Sequence, residues 1–231
     1  MTASMVLHRV AIVYATAKTY QDTGVVKPRG SSAAIFVSDV PFSTAYRAPD
    51  RFRFAFVAMH PKMMRTPALR GIIYRNGKEV EQWAFSKLTT PPSLDIAIAR
   101  ATGVSSSAAH NIPALLMPQL VSGRKLTDDP DAHLIPGAPC DGHTCYRIQE
   151  TLSRARVTEI VWIDRASFLV RRVDSHLTLP NGVTSRFSTI YHPSINAPVA
   201  ESALKLGAPT SGTASAARST LPRTSSPAPA N

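Results

Sequence analysis

Hydrophobic positions near the N-terminus recur with a helical period. Val6, Val10, Val13, Tyr14 and Ala17 fall on one face of an α-helix. The competing reading, a secretory leader ending at Ala15-Thr16-Ala17, has an apolar run too short for that role and a charge too close to it. The period then changes to two. A strand is expected over 19–26, a turn over 28–32, and extended segments over 34–40 and 42–46, with Pro41 marking a break or an edge. Ala48-Pro49-Asp50 reads as a turn. The clearest strand runs over 51–59. Phe52, Phe54 and Phe56 share one of its faces, and Arg51 and Arg53 mark the other as solvent. Residues 71–85 form a hairpin about Asn76-Gly77.

The helical period returns after Pro91-Pro92. Ser93 is the expected N-cap, Leu94, Ala97, Ile98 and Ala101 share a face, and Gly103 follows the last turn. A second short helix is expected over 112–120. Five further strands are expected over 133–140, 145–153, 156–164, 168–174 and 185–191, with turns at Asp141-Gly142, 164–167 and Asn181-Gly182. This order predicts an α+β protein: a strongly curved antiparallel sheet with its helices packed on one face. A closed barrel has the same signature at this level.

Composition bounds the chain further. Its 231 residues are enough to bury a core without a metal or a disulfide framework. Residues 1–209 are expected to form one domain. Residues 210–231 are rich in Ser, Thr, Ala and Pro, with Leu221 as their one large apolar residue, and are expected to stay out of any core. No run of apolar residues is long enough for a transmembrane helix. The net charge of +11 comes from Lys and Arg scattered along the chain, without a basic stripe or interleaved stacking aromatics. A diffuse basic surface is therefore expected rather than nucleic-acid binding.

Little in the sequence points to catalysis. It has no Gly-rich phosphate loop, no His-Glu-x-x-His and no Cys-x-x-Cys, and Ser105-Ser106-Ser107 lacks a nucleophile elbow. Asp22 has no identifiable acid–base partner, and the acidic residues at 128–131 read as a solvated loop. Cys140 and Cys145 have His133 and His143 nearby, but a fourth ligand at sensible spacing is missing. No metal or cofactor is assigned. If Asp141 to Thr144 make a four-residue loop, the two cysteines lie opposite each other and a disulfide fits. If Asp141-Gly142 make a two-residue turn, they are expected to fall out of register as free thiols.

Several short motifs together resemble one family. They are the helix-to-strand run from Tyr14 to Gly24, and Tyr46 followed by Pro49-Asp50-Arg51-Phe52-Arg53-Phe54. They continue with Asp141-Gly142-His143-Thr144-Cys145-Tyr146-Arg147-Ile148, Trp162-Ile163-Asp164 and Leu169-Val170-Arg171-Arg172. With this order the chain resembles the bacterial LolA/LolB-like lipoprotein-carrier superfamily, whose fold is shared by sigma-factor regulators of the RseB type, from about Val6 to Pro209. The resemblance implies an open half-barrel with a helical lid on its concave face. It also implies a non-enzymatic carrier or sensor of an acyl chain, lipid or lipoprotein in the periplasm or cell envelope. A regulatory module of the same fold, binding an envelope protein, is the alternative. The chain departs from the family in lacking a convincing leader or lipobox, and no lid-locking arginine can be matched. The cavity-lining candidates are Phe52, Phe54, Phe56, Trp83, Phe85, Leu94, Ile98, Leu116 and Trp162. Leu and Met in the helical insertion suit adjustable contact with acyl chains.

Overall fold

Two antiparallel meanders share one seam. In the computed structural model, which describes residues 1–29, 39–58, 69–152, 157–178 and 182–207, helix α1 (Ala3–Ala15) leads into six strands. These are β1 (Thr19–Pro28), β2 (Val40–Arg47), β3 (Arg51–Ala58), β4 (Leu69–Asn76), β5 (Glu79–Ala84) and β6 (Lys87–Thr89). Helices α2 (Leu94–Thr102) and α3 (Ala108–Leu116) follow. The second meander comprises β7 (His133–Cys140), β8 (His143–Leu152), β9 (Val157–Asp164), β10 (Val170–Thr178) and β11 (Thr184–Tyr191), with the two-residue β12 (Ser194–Ile195) paired to β1. The strands run β6-β5-β4-β3-β2-β1-β11-β10-β9-β8-β7 in one open sheet, and the β1–β11 pairing joins its halves. The sheet is a curved half-barrel rather than a closed barrel. Residues 34–38 of one predicted strand, and the predicted tail at 210–231, lie outside the described residues.

The free edges are β6 and β7, and α2 and α3 connect them. That route places the helical insertion against the sheet face also occupied by α1. The helices and the sheet bury one continuous cluster, including Val6, Leu7 and Val10 of α1, Ile98 of α2, Leu116 of α3, and Phe52, Ile148 and Val161 of the sheet. Val6, Val10 and Tyr14 of the predicted stripe are buried on α1 with Ala3 and Leu7, Val13 is half-buried and Ala17 lies beyond the helix; Thr2 caps α1 by accepting a hydrogen bond from Met5 N. Ser93 caps α2 at Ile96 N, and the buried face of that helix is Leu94, Ala97, Ile98 and Ala101.

Three buried tyrosines link the layers. The Tyr14 hydroxyl accepts a hydrogen bond from Val170 N at 3.0 Å, beside the register shift between Val170 and Arg172. Tyr191 accepts from Asn111 of α3, and Tyr20 donates to Asp22. Burial pushes all three phenols above their ordinary range. After α3, Arg124 turns back under the sheet. It pairs with Glu150 of β8, which is fully buried, and with Glu159 of β9 at 2.9 Å. Removing one partner of such a buried pair costs about 3–5 kcal/mol, because the remaining charge is stranded away from water. Nothing local in the sequence marks Arg124 for this role.

The Arg51 and Arg53 side of β3 is not simply solvent, as the alternation suggested. The chain after β12 crosses the opposite face of the sheet, where Val199 and Leu204 pack on Ala45. Glu201, in a single 3-10 turn (Glu201–Leu204), pairs with both Arg47 and Arg51.

Phe54 is fully buried and stacks near Phe42 and Phe56, with ring centroids 5.8 and 5.9 Å away. It pairs with Thr44 and Ile73 on the neighbouring strands. Its surroundings are filled by protein, so Phe54→Ala should destabilise the ligand-free protein by about 3–5 kcal/mol in denaturant unfolding. A loss below about 1 kcal/mol would mean that Phe54 borders open space.

Candidate functional site

The helix-covered face is well filled at its centre and open at one corner. Between α2 and strands β4, β5 and β6 lies a cavity of about 490 Å³. Its apolar lining includes Phe56, Leu69, Ile73, Ala84, Ala101 and Val104. Several local choices create it. Gly71 leaves room for the Phe56 ring to lie across β4, where a Cβ would collide with that ring. Ala84 and Ala101 put small side chains where the sheet and α2 face each other. The β5–β6 turn is made by Phe85 and Ser86, both left-handed (φ 52° and 59°). A bulky residue rarely adopts that conformation. Here it leaves Phe85 77% exposed beside the cavity, with Leu88 and Ile96 also exposed on the adjoining elements.

The polar groups in the wall are few. The Gln82 amide donates to Ala97 O at 3.3 Å, and the Thr89 hydroxyl donates to Gln82 O. Lys87 and Arg100 are the charged residues of the lining, which contains no Asp or Glu.

The sequence-predicted lining separates into three groups. Phe56 and Phe85 border this cavity. Phe52, Phe54, Leu94, Ile98 and Leu116 are buried in the main cluster and pack the helices onto the sheet. Trp83 and Trp162 lie on the opposite face, which corrects their assignment. Gln82 reaches α2, so its neighbour Trp83 points away, beside Ile72 and Leu88. Trp162 alternates with the buried Val161 and Ile163 and packs with Cys140 and Cys145 in a separate cluster. Its ring lies between the Arg147 and Arg172 guanidiniums, at 4.5 and 4.9 Å, and its indole N–H donates to Asp174 at 2.9 Å. Such contacts stabilise a sheet surface by about 0.5–1 kcal/mol each.

A disulfide joins Cys140 and Cys145, with Cα atoms 6.0 Å apart. The turn between them is nevertheless the two-residue one: Cys140 pairs with His143, and Cys145 with Ala138. Ala138 and Cys140, two apart, share a face, so the cysteines are diagonal neighbours on that face. The expectation that a two-residue turn separates them overlooked this diagonal. His143 instead meets Asp164 at 2.7 Å. Among the described residues, no three His, Cys, Asp or Glu side chains come together as a metal site.

Two other features were weighed as sites. A cavity of about 600 Å³ lies between α1 and the segment before β7, rimmed by His8, Lys125, Asp128 and Asp129. Both acids cap local turns, at Lys125 N and Asp131 N. Asp22 is buried on β1, accepting from the Tyr20 hydroxyl at 2.7 Å and from Thr44 N at 3.0 Å. Burial pushes its carboxyl up to about 6 from an ordinary 3.8, although these hydrogen bonds and nearby His192 favour the charged form. Among the described residues its hydrogen-bond partners are Tyr20 and Thr44, and they tie β1 to β2.

That shift has a testable sign. A folded value above the unfolded one means the folded chain binds the Asp22 proton more tightly. The fold therefore gains stability as pH falls from above 6 to below 3.8, and loses it as pH rises through 6. Relative to Asp22→Asn, the wild type should become more stable between about pH 8 and pH 4, by on the order of 3 kcal/mol. Parallel urea-unfolding profiles for the two proteins across this range would contradict the assignment.

No family model matches the chain, and no curated protein matches it significantly in sequence. Solved structures do match in fold. LprF from Mycobacterium bovis aligns with a TM-score of 0.52 at 10% identity, over 86% of this chain and 94% of that one. The complex of Pseudomonas aeruginosa MucA and MucB aligns at 0.47 and 16% identity, over 89% of this chain and 61% of the other. The LolA superfamily protein NE2245 from Nitrosomonas europaea aligns at 0.36 and 10% identity, over 89% and 98%. These likenesses are of fold alone, and the fold that this chain shares most fully among them is that of LprF.

Proposed function

We propose that this protein is a non-enzymatic carrier or sensor of an acylated ligand in the bacterial cell envelope, holding an acyl chain between α2 and the β4–β6 edge. The observation that carries the reading is the 490 Å³ cavity with its mainly apolar lining between α2 and the β4–β6 edge. Its volume lies within the ~300–1,000 Å³ of small-molecule sites. Burial of methylenes there would supply the driving force, about 0.8 kcal/mol per CH₂ before ordering costs. The resemblance to the LolA/LolB-like superfamily supports the reading, and the disulfide suits an oxidising compartment such as the periplasm. Among the described residues no helix is long and apolar enough to cross a membrane.

A second reading has its own observation. Phe85 is 77% exposed beside the cavity, and Ile96 of α2 is 40% exposed. An envelope protein could dock there, either alone or as the donor of the acylated ligand.

A fluorescent acyl probe separates the readings. The wild type should bind it, and Ala101→Leu, which places a larger side chain in the cavity, should weaken binding at least about tenfold while keeping the wild-type far-UV spectrum. Trp162→Phe, on the other face, should leave binding unchanged. Equal binding by the wild type and Ala101→Leu would place the ligand elsewhere. No probe binding by folded wild type would leave the protein-docking reading.

A further inference from the structure

Resting on the acyl-binding reading, we infer that the ligand is a single-chain amphiphile with an anionic head, held between Lys87 and Arg100 at the mouth of the cavity. Three observations lead to this class.

The first is size. At roughly 30 Å³ per water-sized group, about 490 Å³ takes on the order of 16 such groups. That is the content of one acyl chain of about this length, so two chains of that length would not both be buried there.

The second is the sign of the rim. Lys87 comes from β6 and Arg100 from the last turn of α2, so the two cations approach the same cavity from the sheet and from its cover. No carboxylate belongs to the lining, and neither cation forms an ion pair with a described residue. By contrast, Arg124 is paired with Glu150 and Glu159, and Arg47 and Arg51 share Glu201.

The third is the state of the remaining polar wall. Gln82 gives one of its two amide N–H groups to Ala97 O, and Thr89 gives its hydroxyl to Gln82 O. A head group entering here therefore meets two unneutralised cations and no competing acid. A neutral head gains a weaker hydrogen bond from them than an anion does, and a cationic head is repelled. A carboxylate or a phosphate monoester gains charge-assisted hydrogen bonds from both. Phe85, held out by its left-handed backbone beside the mouth, offers an apolar surface for the first methylenes below the head.

The test is calorimetric titration of the full chain with four amphiphiles of equal chain length: dodecanoate, dodecyl phosphate, dodecanol and dodecyltrimethylammonium. The two anions should bind about tenfold tighter than the alcohol, as expected for two partly exposed charge contacts. The cation should bind most weakly. The double variant Lys87→Gln with Arg100→Gln should lower anion affinity to that of the alcohol and leave alcohol affinity unchanged. Tighter binding of dodecanoate would identify a fatty-acid ligand, and tighter binding of dodecyl phosphate a lysophospholipid-like one; both support the anionic head. Affinity independent of head group, or anion affinity unaltered in the double variant, overturns this inference and leaves the cavity reading standing. Failure of all four to bind folded wild type overturns the acyl reading itself.

Discussion

The β1–β11 pairing governs how the rest of the molecule is arranged. It joins an N-terminal and a C-terminal meander into one open sheet, with β6 at one free edge and β7 at the other. The chain must travel between those edges, and α2 and α3 make that journey over the helical face of the sheet. A cover is thus a consequence of strand order, and the apolar strand faces beneath it need one. The polar links follow the same geometry. Tyr14 ties α1 to β10, Asn111 ties α3 to Tyr191, and Arg124 anchors the end of the insertion on Glu150 and Glu159.

This arrangement also explains why the interior is full at its centre and open at a corner. Over β1 to β3 and β8 to β11 the three helices supply Leu, Ile, Val and Tyr to a continuous core. At the β4–β6 edge α2 is the helix that packs on β4 and β5, and it lines the space with Ala101 together with Ala84 and Gly71. Small residues on both sides leave a space that Phe56 floors and does not fill. The position of the space at an edge gives it a mouth, and that mouth carries cations and an exposed phenylalanine. A ligand entering there would not have to part α1 or α3 from the sheet.

The architecture was largely legible from the chain because its periods are clean. Arg51 to Ala58 alternates without error, Ser93 marks the start of α2, and the stripe from Val6 to Tyr14 is helical. Much of the site was not legible, for identifiable reasons. Val161, Trp162 and Ile163 are all apolar, so alternation alone does not say which face Trp162 takes. For Trp83 the signal was present: Val80 and Trp83 differ in parity, and with Val80 buried Trp83 must face outward. Arg124 sits in a loop without periodicity, and its partners are 26 and 35 residues away. The hint was the acids themselves, since Glu150 follows Ile148 and Glu159 precedes Val161 on the buried parity. The crossing of residues 197–207 over Ala45 and Arg51 was also unmarked, because Val199 and Leu204, five positions apart, belong to neither a helical nor a strand period.

The central claim is that one acyl chain occupies the space between α2 and the β4–β6 edge. Methyl-resolved NMR with dodecanoate tests it most directly. The account predicts intermolecular Overhauser contacts from the chain methylenes to the methyl groups of Ala84, Ala101 and Val104, and none to Val161 or Val173 in the filled centre. Contacts concentrated on Val161 and Val173, or no contacts to Ala84, Ala101 and Val104 when the ligand is bound, would contradict it.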